Sequence, residues 1–155
     1  MDNTISIVEY KDDYAASFKA LNIAWLNKFF VIEPVDEEVL DHPVKNIIDK
    51  GGNIFFAIIN NEPVGCFALV KEHQEGVYEL SKMAVSEAHQ GKKIGNQLLE
   101  FCFEEAKRMG AKKVILFSNT KLLPAIHLYK KYGFTEIELD GAVHKRANIK
   151  MEKII

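Results

Sequence analysis

The sequence predicts an α/β fold built on a mixed sheet, in the element order β-α-α-β-β-β-α-β-α-β-β. Three observations predict it. Positions 53–85 are rich in β-branched and aromatic residues and are divided by turn signals, the mark of consecutive short strands. From Ile94 to Met109 the apolar residues Ile94, Leu98, Cys102, Ala106 and Met109 fall on one helical stripe, with Gly110 as the stop. Val114–Phe117 is then a short, wholly apolar segment, of the type a buried parallel strand uses. A chain of 155 residues, 48% hydrophobic and 27% charged, is long enough to bury a core and too apolar to stay disordered. One domain over 1–155 is expected, since no repeat, low-complexity stretch or linker offers a boundary.

The elements follow in order. Ile5, Ile7 and Val8 alternate with polar residues and predict a first strand. From Asp12 or Asp13 the period changes, and Phe18, Leu21, Trp25 and Phe29 share one face of a helix. Pro34 with the acidic run Asp36-Glu37-Glu38 suits a second helical start, which Pro43 interrupts and Gly51-Gly52 ends. Asn53–Ile59 and Val64–Val70 are strands joined by a turn at Asn60-Asn61-Glu62-Pro63, and Val77–Val85 completes a meander. After the Ile94–Met109 helix and the Val114–Phe117 strand, Pro124–Tyr132 is a helix with proline near its start and Gly133 past its end. Phe134–Leu139 and Ala147–Lys153 close the chain as strands. The unit from 77 to 117 should be parallel and right-handed.

Charge and composition exclude several classes. Twenty basic against 22 acidic residues leave a net charge of −2, so no global field gathers nucleic acid or an anionic membrane. No apolar run approaches a membrane span, and the N-terminus does not resemble a secretory signal. A soluble, cytoplasmic protein is expected. Cys66 and Cys102 fit reduced core thiols, and neither they nor the scattered histidines form a metal-ligand pattern.

The chemistry is expected where the third meander strand feeds the long helix. There the chain reads His89-Gln90-Gly91-Lys92-Lys93-Ile94-Gly95-Asn96. A loop entering a helix N-terminus presents unpaired N–H groups and the positive end of the dipole. Gly91 and Gly95 let the backbone approach a bulky anion, and two lysines add charge. The same residues also suit a plain turn with solvated lysines. The P-loop and dinucleotide fingerprints are both absent.

Three segments together resemble the GCN5-related N-acetyltransferases (the GNAT superfamily). The family signature, Gln or Arg followed by two residues, Gly, one residue and Gly or Ala, maps onto Gln90 to Gly95, with Lys93 in place of the first glycine. Glu79-Leu80-Ser81-Lys82-Met83-Ala84-Val85 resembles the family's fourth strand. Ala125 to Phe134 resembles its A-x-x-L-Y-x-x-x-G-F helix and strand. The match covers about a third of the chain, and the resemblance implies the GNAT acyl-CoA N-acyltransferase fold. It further implies acetyl transfer from acetyl-CoA (coenzyme A) to a primary amine by direct attack.

Carried over by position, the resemblance places Met83, Ala84 and Val85 along the pantetheine arm, with an Ala84 or Val85 N–H as oxyanion donor. Gln90, Gly91, Lys92, Lys93, Ile94, Gly95 and Asn96 would hold the pyrophosphate. Lys93 fits that loop only with negative φ. Glu79 is the candidate general base, against a solvent-facing strand residue. Tyr129 is the candidate general acid for the departing thiolate, against a core aromatic. Asn119 either bonds the pantetheine arm or caps the next helix. No metal is implied.

For the acceptor, Trp25, Phe29, Phe30 and the acidic run either wall an amine site or form a core face and a solvated helix start, the second being favoured. A small-molecule amine is preferred to a protein because no second domain is in view to select one. The competing reading is a catalytically silent acyl-CoA-binding or partner-binding module on the same fold. Homodimerisation is common in the family, but no residue here points to it.

Overall fold

Asn60 and Asn61 take φ of 50° and 66°, so the link between the first two meander strands is a two-residue hairpin turn with both central residues left-handed. That turn is tighter than expected, and it releases Glu62 and Pro63 into the second strand. The computed structural model describes residues 4–140 and 146–155. Its seven strands are β1 (Ser6–Glu9), β2 (Asn53–Ile59), β3 (Glu62–Lys71), β4 (Val77–Val85), β5 (Lys113–Ser118), β6 (Thr135–Ile137) and β7 (Ile149–Ile154). They form one sheet in the order β1-β2-β3-β4-β5-β7-β6. All neighbours are antiparallel except β4 and β5, which are parallel as the strand–helix–strand reading requires. The edge strand β6 is three residues long, half the span expected.

Four helices cover the two faces: α1 (Ala15–Phe29), α2 (Pro34–Asp41), α3 (Ile94–Arg108) and α4 (Leu123–Lys131). Pro43 does interrupt the second helical region, which resumes as one π-helical turn over Val44–Ile48. Leu98, Cys102 and Ala106 of α3 and Ile126 of α4 pack on Phe55, Phe67, Leu80 and Leu116. Phe18 and Leu26 of α1, with Leu40 and Ile47, pack on Ile54, Phe56, Cys66, Ala68 and Ala84 across the sheet. The α1 stripe needs correction. Its buried residues are Phe18, Asn22 and Leu26, while Leu21, Trp25 and Phe29 lie on the flank, half-buried. A polar residue in the middle of a buried stripe hides it from any count of apolar spacings.

Candidate active site

The sheet opens at its centre. Parallel pairing of β4 with β5 covers only Val77↔Lys113, Tyr78↔Val114 and Glu79↔Ile115. Beyond that point β4 runs on to Val85 and β5 to Ser118, and β5 stays paired to β7 along its other side. Leu80–Val85 therefore has no strand partner on the β5 side.

A bulge turns this free stretch. Cys66 pairs with Ala84 and Ala68 with Ser81, so β4 carries one residue more than β3 across the interval. Lys82 takes φ of 55° at that position. The extra residue shifts the alternation: Tyr78 and Leu80 face α3 and α4, and so do Met83 and Val85. Ala84 faces α1 and α2. Glu79, between Tyr78 and Leu80, points to the α1/α2 side.

The opening is a cavity of about 520 Å³. Its walls include Glu79 and Leu80–Val85 of β4, Leu116–Ser118 of β5 and Asn119, the loop from His89 into α3, and Ala125, Leu128 and Tyr129 of α4. Asn22, Trp25, Leu26 and Phe30 close it from α1 and its end, with Arg146. The end of α1 is tied to both rims. Lys28 pairs with Glu87 at 2.7 Å on the β4 side, and Lys121 Nζ donates to Phe29 O at 2.8 Å on the β5 side. Of the residues named from the sequence, Gln90, Gly91, Lys93, Ile94, Gly95 and Asn96 all line the cavity; Lys92 does not.

The loop at the helix start has the form an anion needs. The backbone N–H of Gln97 is bonded to Lys93 O, which leaves the N–H groups of the preceding first turn without intrahelical acceptors. A Cβ built on Gly91, whose φ is +83°, would meet nothing within 4 Å, and one on Gly95 would touch only Leu128 Cδ2 at 3.7 Å. His89 Nδ1, on the cavity wall, is buried with no hydrogen-bond partner among the described residues. The site thus fits a phosphorylated ligand on its backbone cradle. Lys93 departs from expectation: its φ is +62°, in the left-handed region, and not negative. It serves as the N-cap of α3 there. A side chain in that conformation costs about 1 kcal/mol, which is why glycine suits the position.

Glu79 and Tyr129 both reach the cavity. Burial pushes the Glu79 carboxyl up to about 7, and the Glu72 carboxylate adds to the rise while Lys82 and Lys150 oppose it. Burial likewise pushes the Tyr129 hydroxyl up to about 12, so it keeps its proton. The Tyr129 ring packs edge-on against Phe134, with centroids 5.8 Å apart. Asn119 lines the cavity but does not cap α4, whose N-cap is Leu122. Its Oδ1 accepts from Lys121 N at 2.9 Å and its Nδ2 donates to Arg146 O at 2.6 Å, pinning the loop before α4 to the segment entering β7.

Sequence reasoning missed a buried ionic cluster beside the bulge. Arg146 forks onto Asp36 at 2.7 and 3.0 Å and bonds Glu33 at 2.7 Å, while Lys82 Nζ lies 3.6 Å from Asp36. Burial raises the Asp36 carboxyl, but the Arg146 hydrogen bonds, the Glu33 N–H and the two cations outweigh it and hold the group at about 2. Asp36 is thus a fully buried, neutralised anion rather than an open subsite for an amine. Glu37 and Glu38 are solvated. Trp25 and Phe30 do wall the cavity, with centroids 5.6 Å apart, whereas Phe29 does not. Both cysteines are buried and free, and burial pushes each thiol up to about 12. A thiolate nucleophile is therefore disfavoured.

A sheet split between two parallel strands, with an anion cradle at one end of the split and ionisable groups at the other, has the shape and donors to fit a ligand that carries phosphates at one end. A family model described as the acetyltransferase (GNAT) family matches residues 17–134, and the chain belongs to that family. Mycothiol acetyltransferase of Corynebacterium glutamicum is 33% identical over 89 residues, 57% of this chain and 30% of that protein. The chain therefore spans under a third of the length of that relative. An uncharacterized N-acetyltransferase, YvbK of Bacillus subtilis, is 31% identical over 66% of this chain and 67% of its own. Aminoalkylphosphonate N-acetyltransferase of Salmonella typhimurium is 30% identical over 59% of this chain and 62% of that one. Among solved structures, a GNAT-family acetyltransferase from Staphylococcus aureus superposes with a TM-score of 0.88 at 23% identity, over 97% of this chain and 99% of that one. The PaiA N-acetyltransferase of Thermoplasma acidophilum, in complex with coenzyme A, gives 0.77 at 17% identity, over 98% and 99%. These likenesses bear out the GNAT fold.

Proposed function

We propose that this protein transfers an acetyl group from acetyl-CoA to the primary amine of a small molecule, by direct attack in a ternary complex. One observation carries the reading: a single cavity runs from the Gly91–Gly95 cradle, along the unpaired edge of β4, to Glu79 and Tyr129. The open His89 Nδ1, the empty space off Gly91 and the free N–H groups of α3 are what a pyrophosphate would fill. The thioester is what acetyl-CoA supplies when bound; the rest falls to the chain.

The Ala84 N–H is turned toward Cys66 Sγ, where it lowers the thiol's pKa against the larger effect of burial. Strand alternation then sends the N–H groups of Met83 and Val85 to the open edge, so Val85 is the better of the two expected donors to the thioester oxygen. Glu79, raised to about 7, is matched to taking the proton that the neutral amine gives up as it attacks, near neutral pH. Tyr129 stays protonated and can return a proton to the departing sulfur. A cavity closed from α1 and walled by Trp25 and Phe30 suits a small acceptor, in keeping with the relative named for an aminoalkylphosphonate.

Thermal unfolding with and without acetyl-CoA tests this, with Gly95→Trp as the control that fills the cradle. Ligand at about 100 times its Kd adds about 2.7 kcal/mol, which at this size raises the midpoint by about 5–11 °C. The rise should vanish in the control. No rise at saturating acetyl-CoA would reject the cofactor. A rise without thiol release from any amine would leave an acyl-CoA-binding module.

A further inference from the structure

Asn22 sits in the second turn of α1, between Phe18 and Leu26 on the stripe that faces the sheet, and is 3% exposed. A leucine would fill that place in an ordinary amphipathic helix. Its Nδ2 donates to Phe18 O at 2.9 Å and to Cys66 Sγ at 3.5 Å. A backbone carbonyl can only accept, so the amide is fixed with its nitrogen into the protein. No described residue donates to Oδ1, and Asn22 lines the cavity. Cys66 is paired with Ala84, so this open carbonyl stands behind the bulge, on the face to which Glu79 points. Among the described residues Oδ1 is not one of the buried side-chain atoms left without a partner, so it opens on the cavity, where a ligand or water can satisfy it.

We propose that Asn22 Oδ1 holds one N–H of the acceptor amine and so selects primary amines. The inference rests on the acetyl-transfer reading. A neutral primary amine offers one lone pair and two N–H bonds. The lone pair forms the new C–N bond as the C–S bond breaks, and one proton leaves toward Glu79 while Tyr129 supplies one to the sulfur. The other N–H persists in the amide product, and Asn22 Oδ1 keeps it bonded throughout, which aims the lone pair at the thioester carbon. A secondary amine has only the proton it must lose. Asn22 then faces an N-substituent with its carbonyl unpaired, the arrangement that gives the strongest rejection of a near-isostere.

The test is acetyl-CoA-dependent thiol release with a panel of small primary amines, 2-phenylethylamine among them, each set beside its N-methyl derivative. The panel is run on the wild type, Asn22→Leu and Asn22→Asp. The wild type should favour each primary amine it uses by about 100-fold or more in kcat/KM. Asn22→Leu keeps the branched shape and adds some bulk, so steric exclusion of the methyl persists. It should nonetheless lose about 10- to 100-fold on the primary amine and bring the preference down to within about tenfold. Asn22→Asp keeps the acceptor oxygen but cannot donate to Phe18 O or Cys66 Sγ. It should therefore be the least stable of the three yet more active than Asn22→Leu, with the acetyl-CoA midpoint rise unchanged in both.

Activities that simply follow stability, with the primary-to-secondary ratio unaltered in Asn22→Leu, would show Asn22 to be structural and overturn the inference while leaving acetyl transfer intact. Acetyl-CoA binding without thiol release from any amine would instead remove the transfer reading, and this inference with it.

Discussion

Replacing Glu79 with glutamine keeps the shape and removes the charge. With the carboxyl at about 7, roughly half the wild-type protein carries an ionised Glu79 at pH 7, about a tenth at pH 6 and about a hundredth at pH 5. The ratio of wild-type to Glu79→Gln kcat/KM cancels the ionisation of the acceptor itself, which both enzymes share. That ratio should rise about tenfold per pH unit from 5 to 6.5, bend near 7 and level off at about 10²- to 10⁴-fold, the usual worth of a positioned base. Initial rates of thiol release in constant-ionic-strength buffers from pH 5 to 9 measure it. A ratio that stays flat, or bends near the ordinary value of 4.5, refutes the argument. Stability gives an independent check. Because the folded-state pKa is raised, the folded protein holds its proton longer than the unfolded chain between pH 4.5 and 7. Wild-type stability, measured against Glu79→Gln, should therefore fall across that window and stay flat above it. The full shift corresponds to about 3 kcal/mol, an upper value because water in the cavity screens the charge.

Tyr129→Phe should lower kcat by about 10²-fold while the acetyl-CoA midpoint rise is kept, since only the proton for the thiolate is lost; full turnover in single-turnover assays would remove the acid role. With its pKa near 12, wild-type Tyr129 should add no alkaline fall to the rate below pH 10. Arg146→Met removes the fork on Asp36 and the bond to Glu33 and should cost about 3–5 kcal/mol in urea unfolding, with a loss under about 1 kcal/mol contradicting the cluster's role. Asp36 itself contributes about 2 kcal/mol, fully present above its ordinary 3.8 and lost as the pH falls through about 2, so acid unfolding should be steep there and shallower in Arg146→Met.

What the sequence made legible is what rests on spacing. The α3 stripe, the β4 limits and the parallel β4–β5 pair follow from periodicities that packing enforces, and the cradle from glycines that a close backbone approach requires. The interior of the site was less accessible because its partners come from distant positions. Arg146 meets Asp36 across 110 residues and Asn22 meets Cys66 across 44, and no local pattern encodes either contact. Lys93 was misjudged on the rule that lysine avoids positive φ. Lys93 adopts it at a cost of about 1 kcal/mol, well within what the α3 packing supplies. Asn22 was passed over because a polar residue on an apolar stripe reads as a gap in it.

The bulge at Lys82 carries a lesson about inheritance. Whether a strand residue looks left or right is a matter of parity, counted along the chain, and the additional residue makes the tip of β4 odd where its base is even. Substitutions at position 82 can make the left-handed turn easier or harder, but none of them can restore the count. Only a change in length can do that, and it would turn Met83, Ala84 and Val85 over together. The orientation of the strand tip is therefore written in the number of residues and not in their identity, so it can persist among relatives whose side chains have drifted far apart.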